Sequence, residues 1–531
     1  MSAASTAAGR LPAGSSDAAA GPSRAATFGF FAMVFGMFMA ILDIQIVSSS
    51  LREIQAGLAA SSDEIAWVQT SYLIAEVVMI PLSGMLSRVL STRVLFTVSC
   101  AAFTLASLLC STAGTIGEMV TWRVLQGFLG GAMIPTVFAT SFILFPPAKR
   151  AGVSVLIGLV ATMAPTIGPT LGGWLTETFS WHWLFLANVP PGIIVTILVW
   201  RTVDIDKPDL SLLKGFDWLG LVAMAAFLGA AEYVLDEGPR WDWLEDGSVR
   251  IAAVVAMTAG ILFFWRALSY RQPIVELRAF QDRNFAIGCM LSFVLGIGLY
   301  GSVYLLPLFL GTVRGYNALQ IGQIMFVTGM FQFMSAPLAG FLSKKMEPRA
   351  MLALGLTLFG VGVYLNHDVT NQSSLSELFL PQAVRGVSLM LCFLPINTLA
   401  LGTLPPDKIK NASGLYNLMR NLGGAVGLAM INTVIDHRMA HHMRHLLDQL
   451  TPARSVVTQT LDAMSGRFAD LLSTDPDQAA LRALMSMVQR EASVLTYADA
   501  FLLMSLVFFA ALVLMPLVHK PKASQAPADA H

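Results

Sequence analysis

Gly84-Met85-Leu86-Ser87-Arg88 closes an apolar run, and Gly340-Phe341-Leu342-Ser343-Lys344 closes another 256 residues later. Arg93 meets Arg349 at the same spacing. A second string, Pro146-Pro147-Ala148-Lys149, returns as Pro405-Pro406-Asp407-Lys408 at a spacing of 259, which also carries Gly127 onto Gly386. Two short strings whose spacings agree within three residues mark a chain built from two homologous halves. Parallel halves that rock about a shared midplane site are the architecture of alternating access.

What lies between the repeated loops sets the fold class. Of the 531 residues, 55% are hydrophobic and only 12% charged, and the mean hydropathy is +0.66. Soluble domains carry about 25% charged residues. The apolar residues fall in blocks of roughly 20, the length a helix needs to cross ~30 Å of hydrocarbon. The reading is an all-α membrane protein with 14 transmembrane helices: 28–47, 64–87, 94–114, 116–145, 151–174, 183–201, 217–236, 249–268, 285–310, 319–343, 350–366, 377–401, 412–435 and 497–518. Residues 27–203 then form a six-helix N-terminal half and 284–518 a six-helix C-terminal half. The stretch 204–283 is an inserted two-helix region. Residues 1–26, rich in Ala, Gly, Ser and Pro, read as a disordered tail, and 519–531 as a second tail. The block after residue 26 lacks a small-residue cleavage site, so it is a retained span. Segment 436–496 is polar with apolar positions at helical spacing, and is expected to form one or two amphipathic helices outside the bilayer.

Lys and Arg set the orientation. With the N-terminus cytoplasmic, the cytoplasmic segments hold 20 of the 33 basic residues, among them Arg88, Arg93, Lys149 and Arg150. Short loops on the other side hold only Arg52, Arg240, Arg250 and Arg314. Both termini are therefore expected in the cytoplasm. A formal net charge of zero gives no basic field for nucleic acid. Cys100, Cys110, Cys289 and Cys392 all lie in apolar blocks and read as packing residues. No Walker-type phosphate loop, nucleophile–base set or metal-hydrolase motif is present, which argues against an enzyme and against ATP as the driving force. His437, His441 and His445 share one helix face, and with His442 read as a solvated surface rather than a metal site.

Several motifs together carry a family resemblance. They begin with Arg123-Val124-Leu125-Gln126-Gly127 and run through Pro146–Arg150. Next come Ala164-Pro165-Thr166-Ile167-Gly168-Pro169-Thr170-Leu171-Gly172-Gly173, then Trp181-His182-Trp183 and Asn188-Val189-Pro190. Phe216-Asp217-Trp218 opens the inserted pair and Pro273–Glu276 with Arg283-Asn284-Phe285 closes it, while Asn417-Leu418-Met419-Arg420-Asn421 completes the order. The whole of 28–518 resembles the EmrB type of fourteen-span drug:proton antiporters in the major facilitator superfamily. That resemblance implies the major facilitator fold in a cell inner membrane and multidrug export driven by protons without a cofactor. It also implies a periplasmic adaptor as a partner beside small amphipathic substrates, protons and lipids. Gly168, Pro169, Gly172 and Gly173 match the antiporter motif of the fifth span, with Ala164 where its first Gly is usual. The loop with Gly84, Arg88 and Arg93 matches the superfamily's cytoplasmic gating loop, but Arg88 stands at its Asp and Ser91 at its Gly. In the first span the motif's acid is kept as Asp43, while its Thr and closing Pro are replaced.

A charge in hydrocarbon costs at least ~2.5–3.5 kcal/mol and must pair, face a cavity or be neutralised. Asp43 and Arg123 fall at similar depth in the first and fourth spans. Desolvation and a neighbouring Arg pull such an acid's proton affinity in opposite directions, the balance that proton coupling needs. The alternative is a static salt bridge that fixes helix packing. Glu76, in the middle of the second span, is open between binding a cationic substrate, carrying a second proton and reaching into a wet cleft. Glu232 and Asp236, in the inserted seventh span, read as structural and away from the central cavity. Arg385 and Arg420 are each able to balance an intramembrane acid. Export of amphipathic molecules leads, with a single-metabolite facilitator and a non-transporting receptor or scaffold as rivals.

Overall fold

The computed structural model describes residues 23–61, 63–451, 453–469 and 475–518. Most of the expected tail, residues 1–22, and all of 519–531 lie outside the described residues. Helices account for every long element, and no strand occurs among the described residues.

The first span, α1 (Arg24–Ser48), starts where the Ser23 hydroxyl accepts from the Ala26 amide at 3.1 Å, satisfying one of the orphan donors of a helix start. A short amphipathic helix, α2 (Leu51–Leu58), leads to α3 (Trp67–Leu90) and α4 (Thr92–Ser111). The fourth span is two pieces, α5 (Ile116–Gly130) and α6 (Met133–Leu144), interrupted around Gly131. The fifth is α7 (Pro147–Thr178), with Pro165 and Pro169 inside it. The sixth is again broken, into α8 (His182–Leu186) and α9 (Val189–Thr202). Pro190 and Pro191 begin α9 in its first turn, where a missing N–H costs nothing. The inserted pair is α10 (Trp218–Glu237) and α11 (Gly247–Ser269). The second half comprises α12 (Arg283–Thr312), α13 (Ala318–Lys345), α14 (Pro348–Tyr364), α15 (Leu375–Leu401), α16 (Pro406–Gln449), α17 (Ser455–Ala469) and α18 (Pro476–Ala511).

Among the described residues, thirteen helical stretches are long and apolar enough to cross a membrane, and α14 is a shorter apolar helix of 17 residues. At 1.5 Å per residue α14 reaches about 25 Å, close to the hydrocarbon thickness. The fourteen expected spans are compatible with this set.

Segment 436–496 departs from a separate connector. Helix α16 runs unbroken for 44 residues and α18 for 36, so the thirteenth and fourteenth spans both continue past their apolar parts. No Gly or Pro lies between Gly427 and Pro452 to stop α16. Arg438 Nε donates to Asp499 Oδ2 at 2.5 Å, and His442 Nε2 meets the same oxygen at 2.7 Å, which ties the two extensions together. Helix α17 packs on α18 and buries none of its own residues.

The repeat is visible in the packing. A Cβ added at Gly127 would come 2.3 Å from the Tyr72 carbonyl oxygen, and one at Gly386 2.4 Å from that of Thr328. In each half the fourth span thus lies against the backbone of the second at a glycine. Between the halves, α7 packs along α13, and α16 packs on α3 and α6. The inserted helix α10 rests on both α3 and α16, beside the seam where the halves meet. Its partner α11 presents Ile251, Val254, Met257, Ile261 and Trp265 outward, the apolar face of a helix against lipid.

Candidate functional site

Asp43 and Arg123 form a salt bridge of 2.6 Å in which neither side chain has any exposure. Removing two charges from solvent costs several kcal/mol per ion unless each finds partners, and the surroundings supply them. Asn188 Nδ2 donates to Asp43 Oδ1 at 2.7 Å, and Gln126 Nε2 donates to the same oxygen at 3.0 Å. Arg123 gives Nη1 also to Gln126 Oε1 at 2.7 Å and Nε to the Val68 carbonyl at 3.0 Å. Its guanidinium lies 4.2 Å from the Tyr72 ring centroid, a cation–π contact. Asn188 is aimed inward because the sixth span breaks at that residue, and Ser107 holds it by a 3.2 Å contact.

The two residues paired from sequence are therefore brought together. Gln126 and Asn188 stood in the quoted motifs without a role, and the break before Pro190 was the signal that could have exposed Asn188. This arrangement has two states available to it. A charged Asp43 satisfies Arg123, Gln126 and Asn188 together, whereas a proton on Asp43 removes the counter-charge of Arg123.

Glu76 lies apart from that network. It is 2% exposed, has no hydrogen bond or ion pair, and lines a cavity between the halves. The cavity holds about 690 Å³ of space free of protein atoms, counting the part open to solvent. Its walls come from α1, α3, α10, α12 and α16. Glu232 and Asp236 line it too, which corrects the placement of the inserted span away from the centre. The cause is the docking of α10 on both α3 and α16, a tertiary contact that hydropathy cannot encode. Asp236 accepts a hydrogen bond from the Thr70 hydroxyl. Gln69, Asp236 and Asn432 also border a second, more open recess next to it, so the cavity continues toward the side where α3 begins.

Of the two other buried arginines, Arg420 is a charged neighbour of Glu76, with Nη2 donating to Asn417 at 2.8 Å and Nη1 unpartnered. Arg385 balances no acid: it reaches the Thr328 hydroxyl at 3.0 Å and the Ser302 carbonyl at 3.5 Å.

At the opposite end of α3 the residues of the expected gating loop divide. A Cβ on Gly84 would meet Asn411 Cα and the Lys410 carbonyl, both at 2.8 Å, so Gly84 lets α16 close onto α3. Ser91 caps α4 with φ at +79°, which explains why glycine suits this position. Arg88 is exposed, and Arg93 pairs at 3.8 Å with Asp204 and lies over Trp200; neither reaches the other half. The acid missing from position 88 is supplied by Asp206 of the linker, which accepts from the Thr92 amide at 3.0 Å and pairs with Lys410. Lys410 Nζ also donates to the Ser87 carbonyl at 3.1 Å.

The Gly-Pro run of the fifth span is an approach surface. A Cβ on Gly168 would lie 2.3 Å from Gln45 Cβ, and one on Gly172 2.7 Å from the Ile46 carbonyl. Helix α7 thus rides on the stretch of α1 next to Asp43. Pro169 lies inside α7 and Gly173 is buried.

Comparison with known proteins fits this geometry. The Major Facilitator Superfamily family model matches residues 33–428. The "Colistin resistance protein EmrB" of Acinetobacter baumannii is 44% identical over 488 residues, 92% of this chain and 95% of that one. The "Multidrug export protein EmrB" of Escherichia coli K12 is 29% identical over 422 residues, 79% of this chain and 82% of that one. Among solved structures, the human organic anion transporter MFSD10 superposes with a TM-score of 0.55 at 11% identity, covering 91% of this chain and 99% of that one. A multi-pass protein of the inner membrane with two repeated halves, a seam cavity and this degree of identity belongs to the major facilitator superfamily, in its EmrB-type branch.

Proposed function

We propose that this chain exports amphipathic small molecules across the inner membrane in exchange for protons, by alternating access of its two halves. The observation that supports this reading most is the solvent-free Asp43–Arg123 pair beside a cavity at the seam. Opening the seam on one side wets Asp43 and lets it take a proton. Arg123 is then released to Gln126 and the Tyr72 ring, and the motif glycines of α7 let α1 shift. Reclosing returns Asp43 to its three donors and expels the proton. The proton gradient drives the cycle with no cofactor.

The Lys/Arg distribution supports cytoplasmic termini. On that orientation the Gly84–Lys410–Asp206 contact is the cytoplasmic gate, here closed, and the cavity faces outward. The extensions of α16 and α18 with α17 would stand in the periplasm. Their exposed Val456, Leu481 and Met487 suit contact with an adaptor protein. Crosslinking from positions 440–490 should capture it, and a deletion that leaves export intact would remove this part of the proposal.

The central test is substrate-induced proton movement in proteoliposomes under an imposed pH gradient. Asp43→Asn should abolish exchange while protein abundance holds. Normal exchange by that variant would make Asp43 structural and turn the coupling role to Glu76.

A further inference from the structure

Among the described residues, two buried carboxylates have no hydrogen bond or ion pair. Glu76 of α3 is 2% exposed and Glu232 of α10 is 6% exposed, and neither has a hydrogen bond or an ion pair. Both line the seam cavity and sense each other electrostatically. A buried acid in a folded protein takes up a proton, or holds a metal, a cation or a partner. Among the described residues, no hydrogen bond or ion pair ties either carboxylate to a cation. Asp236, a third acid on the wall, is engaged by Thr70. Tyr300 gives its hydroxyl to Asn421 at 3.2 Å, and no Lys or Arg among the described residues lines the cavity. The cations that act on Glu76 are Arg420, which donates to Asn417 and lies over the Phe138 ring, and Arg123, which pairs with Asp43. The rest of the wall mixes the amides of Gln45, Gln69, Asn421 and Asn432 with apolar Leu73, Val77, Leu235 and Leu428.

We infer that Glu76 and Glu232 form a two-carboxylate clamp for the positive group of lipophilic cations, so that the inserted helix α10 is part of the substrate site. The geometry suits that ligand class. Two acids face one space from α3 and from α10, which packs on it beside the seam, and the apolar side chains around them accept the hydrophobic body. A desolvated cation placed between two carboxylates gains attraction from both, while an anion of the same shape meets only repulsion. Binding from α10 also gives the inserted pair a role beyond filling the seam: a ligand held by Glu232 links α10 to α3.

This assignment rests on the transport reading but is tested apart from proton exchange. The full-length protein in nanodiscs is titrated with tetraphenylphosphonium and with tetraphenylborate, ions of matching shape and opposite charge. The wild type should prefer the cation by at least tenfold. Glu232→Gln should weaken cation binding at least tenfold and Glu76→Gln similarly, while Glu232→Asp retains most of it. The double Gln variant should lose discrimination between the two ions. Thermal unfolding checks that each variant is folded. If Glu76→Gln is misfolded, Glu232→Gln alone decides, because α10 lies at the edge of the halves. Unchanged cation affinity in folded Glu232→Gln, or no preference for the cation in the wild type, overturns the clamp. Asp43→Asn separates the two ideas: retained cation binding with lost proton exchange upholds both, and retained proton exchange rejects the coupling reading while leaving the clamp to its own binding result.

Discussion

In the N-terminal half Arg123 meets a carboxylate, while in the C-terminal half Arg385, 259 residues after Gln126, meets only neutral oxygens. The repeat exchanges the residues: position 382, at the same spacing from Arg123, is a Gln. Both halves keep the backbone contact at Gly127 and Gly386. Both place Arg and Gln three residues apart on the same helix face, in opposite order. The frame is therefore duplicated and the charge chemistry is not. A proton site needs an acid whose counter-ion can be exposed and withdrawn, and one half suffices to carry it. In the other half Arg385 is held by hydroxyl and carbonyl dipoles.

The largest way to break this comparison is to remove each arginine in turn. Arg123→Gln leaves the buried Asp43 without its cation and should destabilise the protein by about 3–5 kcal/mol. Arg385→Gln removes a buried cation that has no counter-charge, so its cost should stay within about 1 kcal/mol. Thermal unfolding of the purified protein in detergent measures both. Equal losses would mean that the halves are energetically alike and that the pair at Asp43 is one more packing contact. A double variant sharpens the point. Asp43→Asn with Arg123→Gln replaces the pair by two neutral amides, so it should regain about 2 kcal/mol or more relative to Arg123→Gln alone. Proton exchange should remain absent. Simple addition of the two single losses would show that the side chains are not coupled.

The same contrast explains what could be read from the residues alone. The repeat, the span order and the Asp43–Arg123 pairing follow from loop strings, block lengths and depth, all of which are local in the chain. Asp206 as the substitute for an acid at position 88 does not, because it reaches α4 and Lys410 from a linker whose path only the folded chain fixes. Glu232 stayed hidden for a related reason: an apolar helix such as α10 carries no sign of which helices it will rest on. The Val68 carbonyl that holds Arg123 is a backbone group and leaves no trace in residue identity. The straight run of α16 out of the membrane was legible in principle, since nothing between Gly427 and Pro452 would stop a helix.

If the frame is duplicated, its glycines should be equally intolerant. Gly127→Ala and Gly386→Ala each drive a methyl to 2.3–2.4 Å from a carbonyl oxygen of the second span of the same half. Backbone must move in both cases, and overpacking of this kind costs about 1–3 kcal/mol. The two losses in thermal stability should agree closely. Only the Gly127 variant should also change the pH dependence of exchange, since its helix carries Arg123 and Gln126. A much smaller loss at Gly386 would show that the packing has diverged along with the charges.

The smallest effect expected is at Asn188, the residue that has no charge and yet touches Asp43 Oδ1 at 2.7 Å. Asn188→Ala removes one of three donors to that carboxylate and keeps Arg123 and Gln126 in place. A hydrogen bond to a charged group contributes about 1.5–3 kcal/mol, and 1.36 kcal/mol corresponds to one pH unit. Exchange should therefore persist with its half-maximal pH moved upward by about one unit, because a carboxylate with fewer donors holds its proton more firmly. Ser107, which touches Asn188 but not Asp43, supplies the control: Ser107→Ala should move the profile in the same direction and by less. No counterpart of this shift should follow from loosening Arg385 through Thr328→Val, since no acid in that half reads out the change. A shift of equal size from Thr328→Val would place a second titrating centre in the C-terminal half and end the comparison.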